Sequence, residues 1–98
     1  MARIRVNRPK IAVFCRMHHI RKLSLFGSVL RGDFGPDSDV DVLVEFEAGH
    51  VPGLAFFAME RELSEILGRK VHLNTPQCVS PHFRDRVTAE AEVEYEQA

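Results

Sequence analysis

Residues 39–46 read Asp-Val-Asp-Val-Leu-Val-Glu-Phe, and this alternation restricts the fold more than any other feature. Its even positions are all apolar, Val40, Val42, Val44 and Phe46, while the odd positions carry Asp39, Asp41, Leu43 and Glu45. Successive side chains of a β-strand point to opposite faces, so the pattern predicts a half-buried strand from Asp39 to about Phe46. Asp39 and Asp41 then lie on the face opposite the valines, with Cα atoms roughly 6.5–7 Å apart.

Two further strands and three longer helices follow from similar patterns. An apolar stripe, with Asn7 as a cap, predicts a helix from about Pro9 to His19 or Ile20. The other expected elements are a strand over Lys22–Phe26, a short helical turn over Val29–Arg31, a helix over Leu54–Leu67, a strand over Val71–Leu73 and a helix from Pro81 to about Ala91. The order α-β-α-β-α-β-α predicts an α+β fold, a small mixed sheet flanked by helices.

The chain of 98 residues has room for one domain, so we expect residues 1–98 to fold as a single unit. The acidic residues at its end are expected to form a solvated terminus. They are Glu90, Glu92, Glu94 and Glu96.

Charge is distributed unevenly along the chain. Residues 1–31 hold eight Lys/Arg and no Asp/Glu, whereas residues 33–98 hold five and fourteen, so the two parts carry +8 and −9. The basic part either steers phosphates or an acidic partner to one side, or packs against the acidic part and is neutralised. The sequence leaves both alternatives open.

Composition favours a cytoplasmic protein with no membrane partner. No apolar run approaches the roughly 20 residues that a membrane-spanning helix needs, and no signal peptide is recognisable. Cys15 and Cys78 show no metal-ligand spacing, so we interpret them as reduced thiols.

Gly27-Ser28 stands between a predicted strand and a predicted helical turn, and ten residues separate Ser28 from Asp39. A glycine there allows backbone N–H groups to approach a phosphate, and the serine hydroxyl adds a further donor. Paired carboxylates at Asp39 and Asp41 suit Mg²⁺, which prefers carboxylate and phosphate oxygens. Together these residues predict a site for a metal-bound nucleoside triphosphate. Taken alone, an Asp-x-Asp is more often a pair of solvated side chains.

Phe26-Gly27-Ser28, ten residues, then Asp39-Val40-Asp41 resembles the signature of DNA polymerase β-like nucleotidyltransferases. The surrounding sequence, including Gly68-Arg69-Lys70-Val71-His72-Leu73, is similar to the minimal nucleotidyltransferases of that superfamily. The resemblance implies a polymerase β palm-like fold, ATP as substrate and Mg²⁺ bound by Asp39 and Asp41. It also implies the role of an antitoxin beside a HEPN-type toxin protein, to which some relatives transfer AMP.

Gly27 and Ser28 are then the principal nucleotide-binding residues. Ser38, which ends the intervening loop, is a further candidate. Arg31 lies one helical turn beyond Ser28 and is either a phosphate ligand or a solvated side chain.

His72 departs from the pattern, because the family commonly has a third carboxylate at this position. Three interpretations stay open: impaired transfer, His72 acting as a general base or ligand, and a harmless change. Imidazole is a poor ligand for Mg²⁺ but is well suited to general base catalysis. We include His72 with Asp39 and Asp41 among the catalytic candidates.

Other polar residues carry less weight. His18 and His19 are adjacent and face different ways, so they make a poor metal pair, and His50 is expected to be a loop residue rather than a ligand. Arg84 and Arg86 are expected on a solvated helix face, with contact to a partner or to nucleotide as the less favoured alternative.

Three functions remain after this reading of the sequence. The chain is an AMP-transferring enzyme, a binding module that neutralises a toxin, or, less well supported, a small-molecule modifier. No region remains to grip a duplex, so nucleic acid is not an expected partner. Apolar surface left uncovered by the helices suggests association with a partner or a homo-oligomer.

Overall fold

The computed structural model describes residue 4 and residues 6–30, 34–35, 37–50 and 52–97, except for the side chain of Cys78. Three helices and four strands lie within this part of the chain. Their bounds are α1 Arg8–Met17, β1 Ile20–Phe26, β2 Val40–Phe46, α2 Ala55–Leu67, β3 Val71–Asn74, α3 Pro81–Glu90 and β4 Glu92–Glu96. Short 3₁₀ turns cover Gly27–Leu30 and Pro76–Cys78. The predicted elements are all present within a few residues, and β4 is additional.

The four strands form one mixed sheet in the order β3-β2-β1-β4. β1 pairs antiparallel with β2 and with β4, whereas β2 and β3 run parallel. This arrangement confirms the predicted α+β class. The parallel pair matters for function because its register sets Asp41 opposite His72.

The two faces of the sheet have different roles. Leu23 pairs with Val44 and Leu25 with Val42, and these buried residues share the face against which α1 and α2 pack. Leu63 from α2 completes this core. The predicted side of the β2 valines is therefore correct, and the opposite face carries the polar residues Asp41, Glu45 and His72 together with the buried Leu43.

Local signals explain why α1 forms where it does. The Asn7 side chain accepts a hydrogen bond from the Lys10 backbone N–H at 3.2 Å, as expected for an N-cap. Ile11, Phe14 and Cys15 are buried along one side of the helix. Burial raises the pKa of the Cys15 thiol to about 12, so this cysteine is a core residue and not a nucleophile. None of the described helices combines the length and the apolar character that crossing a membrane requires.

Helix α2 covers the outer edge of β3. Ser64 Oγ accepts a hydrogen bond from the Val71 N–H at 3.0 Å, and Glu60 Oε2 accepts one from the Leu73 N–H at 2.8 Å. These bonds satisfy two N–H groups that an edge strand would otherwise leave without a protein partner. The α2 contacts thereby set the position of His72, which lies between the two bonded residues.

The prediction of a solvated acidic terminus is wrong, because residues 92–96 form β4 along the free edge of β1. Pairing with β1 gives the backbone groups of this segment hydrogen-bond partners. A register shift opposite Leu23 and Ser24 leaves Glu94 as an extra residue, and its side chain is only 3% exposed. Burial raises the pKa of the Glu94 carboxyl above its ordinary value, although Arg8 at 3.3 Å opposes the shift.

The uneven charges of the sequence meet in the folded chain. Basic residues of the first third form ion pairs with later carboxylates: Arg8 with Glu94, Arg21 with Glu45 and Lys22 with Glu96. This arrangement favours the alternative in which the two parts neutralise each other.

Candidate functional site

Gly27 and Asp41 are in close contact where β1 ends. Phe26 lies opposite Asp41 in the antiparallel pair, and Gly27 follows directly with a φ of 78°. This left-handed conformation favours glycine. A Cβ atom at position 27 would also lie inside the van der Waals radius of the Asp41 carboxylate. Two independent features therefore favour glycine at position 27: the positive φ of the turn and the closeness of the Asp41 carboxylate.

His72 completes this cluster from the neighbouring strand. Its Nδ1 lies 3.4 Å from Asp41 Oδ1, and its side chain is 64% exposed, whereas that of Asp41 is 27% exposed. The imidazole thus occupies the place at Asp41 where the sequence resemblance led us to expect a third carboxylate. The structure brings together Gly27, Asp41 and His72, three residues from three different segments.

Asp39 is exposed and lies immediately before β2, because the strand starts at Val40, one residue later than predicted. The Val40 N–H donates to the Lys70 carbonyl at 2.8 Å, which anchors the chain directly after Asp39. Because side chains alternate, Asp39 and Asp41 are expected on the same face.

Arg69 braces the loop that leads to Asp39, a role that the sequence patterns did not reveal. Its Nη2 donates to the carbonyls of Gly35 at 2.7 Å and Ser38 at 3.1 Å, and its guanidinium lies 4.5 Å from the centroid of the Phe34 ring. The Ser38 hydroxyl in turn accepts a hydrogen bond from the Gly35 N–H at 3.0 Å. Ser38 therefore stabilises the loop, and its predicted contact with nucleotide remains a prediction.

A cleft of ≈ 1010 Å³ opens beside Asp41. Phe26, Gly27 and Asp41 line one wall, and Arg86 and Val87 of α3 line the other. Its size exceeds that of most small-molecule pockets, which are roughly 300–1,000 Å³. The cleft gives the Gly27–Asp41 pair a cavity in which a bound molecule has room.

Arg84 and Arg86 were both expected on a solvated helix face, and this is wrong for Arg84. Its guanidinium is half-buried and donates to the carbonyls of Pro76 at 2.7 Å and Val79 at 3.3 Å, which fastens α3 to the preceding turn. Arg86 is exposed as predicted and bonds Glu90 at 3.1 Å, one helical turn away. It nevertheless lines the cleft.

The remaining nucleotide-binding candidates are Ser28 and Arg31. Ser28 is half-buried in the Gly27–Leu30 turn, directly after the Gly27–Asp41 contact. Arg31 lies outside the described residues, so its predicted phosphate contact stays a prediction.

The residues at the cleft fit a hard divalent cation. Asp41, which lines the cleft, and Asp39, which is expected on the same face, would supply the carboxylate oxygens that Mg²⁺ prefers. The missing side chain at Gly27 leaves open the space beside Asp41 that a Cβ would fill. His72 adds a nitrogen donor, which suits transition metals better than Mg²⁺.

Away from the cleft, the structure places the other histidines in different surroundings. His18 Nε2 lies 3.2 Å from Glu62 Oε2 and links α1 to α2, whereas the His19 ring stacks on His50. The adjacent pair therefore does face different ways, as predicted. His50 is a loop residue, but its position beside His19 and Glu47 was not anticipated.

Known proteins similar to this chain are named for nucleotidyl transfer. A relative in Methanocaldococcus jannaschii, provisionally named a protein adenylyltransferase, is 35% identical over 82 residues, which cover 84% of this chain and 87% of that one. The protein adenylyltransferase MntA of Thermococcus cleftensis is 44% identical over 55 residues, covering 55% and 54% of the two chains.

Solved structures share the fold. The structure of a provisionally assigned minimal nucleotidyltransferase superposes with a TM-score of 0.71 at 33% identity, covering 86% of this chain and 85% of that one. A chain of a toxin–antitoxin structure with AMP-PNP gives a TM-score of 0.74 at 22% identity, covering 94% and 75%.

The family assignment rests on most of the chain as well as on the site. The model of the nucleotidyltransferase domain family matches residues 10–93, a span that contains β1, the Gly27 turn, β2 and β3. With Gly27 and Asp41 in contact at the mouth of the cleft, this chain belongs to the nucleotidyltransferase domain family and is a nucleotidyltransferase of the minimal type.

Proposed function

We propose that the chain transfers AMP from ATP to a hydroxyl group of a partner protein in the cytoplasm, and that the partner is a HEPN-type toxin. The observation that carries the proposal is the contact of Gly27 with the Asp41 carboxylate at the wall of the cleft. Relatives are named protein adenylyltransferases, and a structural neighbour is an MNT antitoxin complex with a tri-AMPylated HEPN toxin of Shewanella oneidensis.

The geometry supports a triphosphate bound with its phosphates toward Gly27 and Ser28. Without a side chain at position 27, a phosphate oxygen can approach the backbone of the turn as well as the Asp41 carboxylate. Asp39 and Asp41 would hold Mg²⁺, which when bound offsets the negative charge of the phosphates and of the two carboxylates. Arg86, on the opposite wall, is paired with Glu90 at 3.1 Å and would have to exchange that carboxylate for a phosphate to contact the nucleotide.

The proposed reaction forms no covalent bond to the chain itself. The acceptor oxygen bonds to the α-phosphorus, the bond from that phosphorus to the β-phosphate's bridging oxygen breaks, and pyrophosphate leaves. The acceptor's proton must pass to a base or to water. We assign this role to His72, and its support is that the ring lies beside Asp41 and is open to solvent.

A protein acceptor suits the surface of this domain. The cleft is open at the surface of the sheet, and large apolar side chains are exposed nearby and on α1, among them Phe83 and Met17 at 57% and 67%. Exposed apolar groups of this kind often mark protein interfaces. Association with a second copy of the chain is the competing use of the same surfaces.

The test combines nucleotide binding with transfer. Replacing Asp39 and Asp41 together by Asn should abolish metal-dependent ATP binding in calorimetry and the incorporation of α-labelled AMP into a partner purified from the native host. Asp37→Asn is the matched control, since Asp37 is an exposed carboxylate of the same loop. Metal-independent ATP binding that survives in the double variant would refute the site.

A second candidate function is neutralisation of a toxin by binding alone, and His72 in place of a third carboxylate favours it. A purely binding module would keep its affinity for the partner in the Asp39→Asn, Asp41→Asn variant and would still neutralise it. Loss of neutralisation together with loss of AMP transfer supports the enzymatic function instead.

A further inference from the structure

Three potential metal ligands meet at the opposite end of β2 from Asp39 and Asp41. His19 follows α1, Glu47 follows β2, and His50 lies three residues further on. Each offers one ligand atom, and these atoms all lie within 4.8 Å of one another.

Main-chain hydrogen bonds hold the three residues in place. The Glu47 N–H donates to the His19 carbonyl at 2.8 Å, and the His50 N–H donates to the Glu47 carbonyl at 3.0 Å. The Glu47 carboxylate also accepts a hydrogen bond from Gln97 Nε2 at 3.0 Å, which orients it. The cluster is therefore built on fixed backbone and does not depend on a chance meeting of long side chains.

Two imidazoles and one carboxylate form a donor set typical of Zn²⁺ sites that keep a fourth position for water. Mg²⁺ disfavours such nitrogen ligands. Ligand atoms of a tetrahedral zinc, at roughly 2.1 Å from the ion, lie roughly 3.4 Å apart, so atoms that are at most 4.8 Å apart must approach each other by up to about 1.4 Å.

One ring must turn for the site to close. The rings of His19 and His50 stack with centroids 3.9 Å apart and planes inclined by only 11°. The lone pairs of imidazole nitrogens lie in the ring plane, so two parallel rings cannot direct them at one ion between them. His50 is an exposed loop residue, and rotation about its Cβ–Cγ bond is soft.

We propose that His19, Glu47 and His50 bind a Zn²⁺ ion, with water as the fourth ligand. This site is separate from the nucleotide site and uses neither of its aspartates. Bound zinc ties the turn between α1 and β1 to the loop between β2 and α2.

The experiment titrates Zn²⁺ into the tag-free, chelator-treated full chain by calorimetry. Wild-type protein should bind one equivalent, and His50→Ala and His19→Asn should each weaken that binding at least tenfold. Asn is chosen at position 19 because His19 has a φ of 57°, a conformation that Asn tolerates well. His82→Ala, at an exposed histidine of α3, is the matched control and should bind like wild type.

Two further measurements keep the result unambiguous. Zinc should raise the melting temperature of wild type, His82→Ala and Asp41→Asn, but not of His50→Ala, whose melting temperature without zinc reports whether it folds. Zinc binding that is unchanged in His50→Ala and His19→Asn, or that disappears in Asp41→Asn, would overturn the proposal.

Discussion

The two ends of β2 differ in the donors that they gather. At its start, Asp41 meets Gly27 and His72, and the carboxylate oxygens favour a hard ion beside phosphates. At its end, Glu47 meets His19 and His50, and two imidazoles favour a borderline ion such as Zn²⁺. β2 and the residue directly after it thus supply one carboxylate to each cluster, and the residues that neighbouring segments bring to each end decide which ion that cluster suits.

His72 is an exception to this contrast, because it adds an imidazole to the cluster at Asp41, where the other donors are carboxylates. His72→Asp should raise the AMP-transfer rate with Mg²⁺ on the order of 10²-fold and leave ATP affinity nearly unchanged, since the added oxygen acts mainly on the transition state. The measurement is labelled-AMP incorporation with Mg²⁺ and with Mn²⁺. A slower variant would instead identify His72 as the base, and an equal rate would show that position 72 does not control transfer.

Gly27→Ala tests whether nucleotide binding at Asp41 requires the space that the missing Cβ of Gly27 leaves open. We expect ATP affinity to fall about tenfold or more, because the new methyl group meets the Asp41 carboxylate. The unfolding free energy should also fall by about 1–2 kcal/mol from the left-handed backbone. Gly53→Ala is the control: its φ is 60°, but nothing lies within 4 Å of the added Cβ. Equal loss of ATP affinity in both variants would argue against the Asp41 contact.

Arg69→Ala tests whether transfer requires the hydrogen bonds that fix the loop before β2. Losing the bonds to the Gly35 and Ser38 carbonyls should let Asp39 move and should lower the transfer rate several-fold, with a smaller effect on ATP affinity. Lys70→Ala, at the exposed neighbour, should match wild type. Steady-state kinetics separate the two effects, and zinc binding at the far end should not change.

Glu94→Gln changes the stability of the fold at a position in β4 that belongs to neither cluster of β2. Burial raises the Glu94 pKa, so the folded state binds more protons than the unfolded state, and wild-type stability falls as pH rises from the ordinary value of 4.5 through the raised value. The variant should therefore gain about 1 kcal/mol at neutral pH and nothing below pH 4. Thermal melts against pH give the result, and a destabilised variant at pH 7 would mean that the pair with Arg8 outweighs the burial of charge.

Local patterns in the sequence were sufficient for most of the elements. The alternation in residues 40–46 and the Asn7 cap depend on neighbours within a few positions, and both appear in the structure as predicted. Gly27 and Asp41 were predicted to belong to one site, and the antiparallel pairing of β1 with β2 is what brings the two residues into contact. The resemblance of these segments to a known family pointed to the function.

Tertiary structure alone decided the features that depend on partners distant in sequence. An alternating acidic tail becomes a strand only if a free edge such as that of β1 accepts it, and Glu94 is buried only because α1 covers that position. No sequence pattern indicates the role of Arg69, because that role depends on its hydrogen bond to the Gly35 carbonyl, 34 residues away in the chain. Likewise His19, Glu47 and His50 have no ligand spacing in the sequence, since the pairing of β1 with β2 is what brings the end of one strand to the start of the other.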